Sequence, residues 1–92
     1  MNYQITGIKV SPKDSVYDEY ITHYFMANFG AQSGAWWTKA DAVALLRNPA
    51  NKAFVGEGQD LIPVQVIEWQ PPFLRTVRDG KQTNNLINLP RY

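Results

Sequence analysis

His23 is the only histidine in the chain, and a Ser–His–Asp constellation would need it beside an activated serine. Ser11, Ser15 and Ser33 all lie in loop-like sequence, and none stands in the G-x-S-x-G elbow that presents a nucleophilic hydroxyl. His23 therefore reads as a strand histidine hydrogen-bonded to a neighbour. A zinc site needs several converging ligands; a lone histidine, scattered carboxylates and no cysteine do not supply them. Asp14, Asp18 and Glu19 cluster without the spacing of a calcium loop, and read as a solvated loop edge. Gly56-Glu57-Gly58 is a bare G-x-G that opens no helix, so it reads as a turn. The expectation is no catalytic residue, no metal ligand and no cofactor.

Binding chemistry has better candidates. Trp36 and Trp37 are adjacent, so both cannot easily face one core. Trp37, just ahead of a helix start, is expected to pack onto that helix, leaving Trp36 exposed beside a glycine-rich loop. An exposed tryptophan can stack on a base or fill a partner's pocket; the alternative is an indole folded over the core edge. The second group is the tail, FLRTVRDGKQTNNLINLPRY. Asp79-Gly80 is a hairpin turn signal, because glycine takes positive φ cheaply. Arg75 shares strand parity with Phe73 and Val77, which places it among apolar groups with Glu68 as a candidate partner. Asn84 and Asn85 can fix the exit from the hairpin through backbone hydrogen bonds. Arg78, Lys81 and Arg91 have no required core role and could face an anion, an acidic partner, or the chain's own acidic segment.

The elements that must position these residues follow from periodicity. Residues 3–10 read as a strand whose apolar parity changes halfway; a bulge near Thr6-Gly7 returns Tyr3, Ile5, Ile8 and Val10 to one face. Residues 11–15 form a loop, and residues 20–27 a second strand. In that strand Ile21, His23, Phe25 and Ala27 share one parity, and Tyr20, Thr22, Tyr24 and Met26 the other. Large groups on both faces predict a central strand, or one covered on both sides. Residues 28–35 read as a flexible loop. Thr38 caps a helix of about eleven residues, with Asp41 in a weak capping box, Ala42, Leu45 and Leu46 at helical spacing, Val43 beside them, and Asn48-Pro49 as the stop. Strands are then predicted at 53–55, 62–70 and 73–78, with a short return strand at 81–83 and a packed segment at 84–89. The order is ββαβββ with a hairpin tail: an α+β domain, mainly antiparallel, packed on one short helix.

Several of these pieces occur together in a known family. Ile5-Thr6-Gly7-Ile8, Ile21-Thr22-His23, Trp37-Thr38 with Ala42-Val43, Val64-Gln65-Val66 and the run from Arg75-Thr76-Val77-Arg78-Asp79-Gly80 through Asn84-Asn85-Leu86 to Leu89-Pro90 resemble the small bacterial proteins catalogued as domain of unknown function 3892. The likeness spans most of the chain; the tail motif is the most specific part. The longer loop at 28–35 and the doubled tryptophan depart from the pattern. The resemblance implies a stand-alone domain without an established activity, and it transfers no catalytic residue.

Composition sets the remaining bounds. Ninety-two residues make one small domain, and 45% hydrophobic with 18% charged residues is a folding composition. The absence of cysteine excludes disulfides, and no segment approaches the ~20 apolar residues of a membrane span. The N-terminus lacks the apolar core of a signal peptide, so a cytoplasmic location is expected. A net charge of +1 gives nucleic-acid binding no support from bulk electrostatics. The aromatic excess on both faces of the second strand suggests a homo-oligomer. The expected function is a small non-enzymatic binding domain, contacting a protein or a phosphate-bearing small ligand through Trp36, Trp37, Arg78, Lys81, Asn84, Asn85 and Arg91. A second reading is an inhibitor from a phage or other mobile element that sequesters a nucleotide signal or blocks a defence protein. An enzyme is the third.

Overall fold

The computed structural model describes residues 1–31, 33–56, 61–76 and 86–92. The first strand, β1 (Asn2–Val10), pairs antiparallel with β2 (Ile21–Asn28) through two irregularities that decide which side chains reach the core. Ile5 opposes Met26 and Gly7 opposes Phe25, so Thr6 is an extra residue on β1. This is the predicted bulge, and it turns Ile5, Ile8 and Val10 to the buried side together. At the other end Lys9 opposes His23 and Val10 opposes Ile21, which makes Thr22 the extra residue on β2. That second bulge corrects the simple alternation of residues 20–27. Ile21 does not share the face of His23 and Phe25; it is fully buried with Tyr24 and Met26.

The third strand, β3 (Ala35–Thr38), was not predicted. It pairs antiparallel with β2, Phe25 opposite Trp36 and Tyr24 opposite Trp37. The preceding segment reaches this edge by passing tightly over β2. A Cβ on Gly34 would lie 2.5 Å from the Met26 carbonyl oxygen and 2.9 Å from the Ala27 Cβ, so only glycine fits that crossing. The helix α1 (Lys39–Arg47) starts directly from the strand end. Thr38 is its cap, with Oγ1 accepting from the Asp41 N–H at 3.2 Å. Asn48 ends it, and the Asn51 side-chain amide donates to the last-turn carbonyl of Leu45 at 3.1 Å. The helix buries Ala42 and Val43, whereas Leu45 and Leu46 are half-buried. Its inward stripe is thus centred one turn earlier than the leucines suggest.

The remaining strands are β4 (Lys52–Val55), β5 (Ile62–Ile67) and β6 (Phe73–Thr76). The sheet order is β3-β2-β1-β4-β5-β6; β1 and β4 are parallel and every other neighbouring pair is antiparallel. The fold is therefore a small α+β domain with a mixed six-stranded sheet and one helix, and its order differs from the expected one by the strand inserted before the helix. β5 stops at Ile67, short of the predicted residue 70, where the Trp69 N–H turns back to the Ile67 carbonyl at 2.9 Å. The predicted return strand at 81–83 lies outside the described residues.

One face of the sheet is covered. Val43, Leu74 and Leu86 pack there with Ile5, Ile8, Ile21, Tyr24 and Met26. The sheet coils strongly enough that Leu74 on β6 lies by the Tyr24 ring on β2, with three strands between them in the sheet order. After a single 3-10 turn at Leu86–Asn88 the chain returns along β1. The Ile8 N–H donates to the Pro90 carbonyl at 3.0 Å, and the Tyr92 N–H to the Ile8 carbonyl at 3.1 Å. This parallel bridge between Ile8 and Arg91 occupies the side of β1 that β4, paired only with Asn2–Gln4, leaves open.

Candidate functional site

Strand alternation separates the two tryptophans. Trp37 lies across from the buried Tyr24, packs against the core, and meets Tyr3 edge-on at 6.5 Å. Trp36 is paired with Phe25 on the opposite face and keeps 37% of its surface exposed. The bulge at Thr6 sets Gly7 across from Phe25, and the returning tail lays Tyr92 over that glycine. A Cβ on Gly7 would come within 2.7 Å of the Tyr92 ring, so the missing side chain is what seats the phenol. The Trp36 ring is 5.2 Å from Phe25 and 5.5 Å from Tyr92 between centroids, at interplanar angles of 70° and 71°. Together with Thr6 and Gly7 these rings enclose a cleft of about 240 Å³ on the face of the sheet away from α1.

Lys9 stands beside this cleft, against the Trp36 ring that lines it. Its ammonium lies 4.8 Å from the centre of the Trp36 ring, a cation–π contact. Lys9 pairs in register with His23, which follows the same face of β2 as Phe25. The His23 Nδ1 is 2.9 Å from the Thr22 hydroxyl, the neighbour contact expected of a strand histidine.

A second and larger cavity, about 520 Å³, lies between the end of α1, β4 and β5. Leu46, Val64 and Val66 line it, and the Arg47–Glu68 ion pair stands at its side. Arg47 donates to both Glu68 oxygens, at 2.6 and 3.2 Å, and both side chains are more than half exposed. This overturns the expected Arg75–Glu68 pair. The inward residue of β6 is Leu74, opposite Val66; Arg75 is opposite Gln65 and exposed, and Phe73 is buried at the strand's start despite its parity. Arg75 instead acts at a distance on Asp18. Burial raises the Asp18 carboxyl above its ordinary value, the neighbouring Glu19 raises it further, and Arg75 pulls it down. One oxygen of Asp18 and the hydroxyl of Tyr24 are buried without a hydrogen bond of good geometry among the described residues. Burial also pushes the Tyr24 hydroxyl well above the usual phenol range.

Of the residues singled out from sequence, Trp36 is in the cleft and Trp37 is across the sheet in the core. Arg91 is spent on the fold: its guanidinium donates to the Lys13 carbonyl and, at 3.2 Å, to the Ile87 carbonyl, which ties the tail to the loop before the acidic segment. Arg78, Lys81, Asn84 and Asn85 lie outside the described residues. Phe25, Tyr92, Gly7 and Lys9 were missed as a group. Phe25 and Lys9 carried a signal in their outward parity; nothing in the sequence placed Tyr92 beside them.

The family model described as "Protein of unknown function (DUF3892)" matches residues 4–90. The chain belongs to this family. The match covers the helix and the described strands apart from Asn2 and Tyr3 of β1, and so includes Thr6, Gly7, Phe25 and Trp36 of the cleft, while Tyr92 falls just beyond it. No curated protein and no solved structure matches this DUF3892 chain.

Proposed function

We propose that the protein is a small non-enzymatic binding domain whose contact site is the cleft between Phe25, Trp36 and Tyr92. The observation that carries this reading is the geometry of the three rings: nearly perpendicular neighbours, on the sheet face away from the helix, around a space that no side chain fills. The helix-side face of an antiparallel sheet must be apolar, and the other is ordinarily polar. Aromatic rings retained on the outer face are large, rigid contact surfaces that lose little side-chain entropy on binding. The polar groups among the lining side chains are the Thr6 hydroxyl, the Trp36 indole N–H and the Tyr92 phenol, which suit holding a group in place by hydrogen bonds.

A fragment screen by thermal shift tests this, since a compound that binds only the folded state raises the melting temperature. Trp36→Ala and Trp69→Ala should be compared with the wild type; Trp69 is 63% exposed and lies outside the cleft. Fragments that stabilise the wild type and Trp69→Ala, and not Trp36→Ala, are the expected result. Ligands that bind all three proteins equally would place the contact site elsewhere.

A further inference from the structure

We infer that the cleft, taken as the contact site proposed above, receives a flat aromatic ring that carries an anionic group. Size is the first argument. About 240 Å³ is below the ~300–1,000 Å³ of drug-sized sites, so the cleft holds one ring system and leaves the rest of its ligand outside. Shape is the second: walls inclined at about 70° to one another offer both faces and edges to an inserted ring.

Charge decides the substituent. Lys9 stands two residues beyond Gly7 on the same strand, about 7 Å along β1 at the usual strand rise. A ring lodged against the Trp36 wall of the cleft would therefore set a substituent one or two bonds away within reach of the Lys9 ammonium, which lies 4.8 Å from that indole and has His23 as its register partner. None of the side chains lining the cleft is an aspartate or a glutamate. A cationic ligand of the kind held in aromatic cages would meet the Lys9 ammonium already lying on the Trp36 ring, 4.8 Å from its centre. The same charge that disfavours a cation attracts a phosphate or carboxylate, and gives it a partner partly removed from water. A nucleoside monophosphate and an aromatic carboxylate both have this chemistry.

The experiment is an NMR titration that follows the indole N–H of Trp36 in ¹⁵N-labelled protein. The probes are adenosine 5′-monophosphate, indole-3-acetate, adenosine, inorganic phosphate and choline. Saturable shifts are expected with the monophosphate, with indole-3-acetate, or with both, and which of them binds identifies the source of the ligand. Adenosine should bind about tenfold more weakly than its monophosphate, and phosphate alone should leave Trp36 unmoved. Lys9→Gln should remove the preference for the monophosphate over adenosine, while Trp36→Ala, still folded by circular dichroism, should bind neither. Equal affinities for adenosine and its monophosphate, a preference for choline, or no saturable shift from either anionic aromatic would overturn the inference. If the fragment screen finds cleft binders that need no negative charge, the ligand class fails and the binding reading survives.

Discussion

Two buried polar atoms set the finest scale of the energetics. The Tyr24 hydroxyl has lost its water and makes no hydrogen bond of good geometry, with only the Leu74 backbone at hand as a weak partner. Tyr24→Phe keeps the ring and removes a poorly satisfied buried group, so it should leave stability within about 1 kcal/mol of the wild type, read as a urea midpoint that is unchanged or slightly higher. Asp18 makes a pH-dependent contribution. Its carboxyl is held above the ordinary 3.8, so the folded chain takes up a proton more readily than the unfolded one. Stability from this group is complete below that ordinary value and is lost as the pH rises through the elevated folded value. Asp18→Asn should remove this dependence. Relative to the variant, the wild type should lose stability as the pH rises above about 4, measured by denaturant melts at a series of pH values. Neither property was legible in the sequence, where Asp18 belongs to an acidic run that reads as solvated and Tyr24 is one more aromatic strand residue.

At the scale of elements, legibility followed the strength of local periodicity. The bulge in β1 was readable because Ile5 and Ile8 cannot share a face without it. The helix was readable from Thr38 and Asn48-Pro49, its two ends. β3 was not: four residues run from Gly34 straight into the helix cap, with no turn between strand and helix to separate them. The bulge at Thr22 was hidden because His23, Phe25 and Ile21 satisfy a plain alternation on paper while the register assigns Ile21 inward. Burial on α1 was misjudged for a related reason. Leucines at helical spacing suggested the stripe, whereas contact with the sheet falls on the smaller Ala42 and Val43, which let the helix approach closely. The consequence is a ranking of truncations. Leu74→Ala, at a fully buried strand position, should cost about 2–5 kcal/mol, and Leu45→Ala clearly less, as compared by chemical denaturation.

At the scale of the molecule, the chain closes on its first strand from both ends of the sequence. β1 holds β2 on one side, and on the other shares its length between β4 and the tail at Pro90–Tyr92. The Arg91 guanidinium fastens that arrangement to the loop at Lys13, 78 residues away in sequence. A basic residue that the sequence offered to an anion or an acidic partner thus serves this chain itself. Arg91→Ala should cost about 1 kcal/mol, because the pairs it loses are exposed. It should also loosen Tyr92, seen as faster amide hydrogen exchange at Tyr92 and a weaker contact between its ring and Gly7 in NMR spectra. Placing Tyr92 beside Trp36 depended on this long-range closure, which no local pattern encodes.

Thr6 has a different meaning when the ladder is counted without it. Ile5 already faces Met26, and Gly7 already faces Phe25, on consecutive residues of β2. Removing Thr6 would leave an uninterrupted strand in which Ile5, Ile8 and Val10 still point inward and every later pair keeps its partner. The core is therefore indifferent to the length of this strand by one residue, and the additional residue faces the outer side, where it lines the cleft beside Gly7. A protein with Thr6 deleted should fold and melt cooperatively like the wild type and bind more weakly in the cleft, which loses one of its lining residues, measured by calorimetry and the Trp36 titration. In the history of such a strand, one codon gained or lost would reshape a cleft on its outer side while leaving the hydrophobic interior as it was.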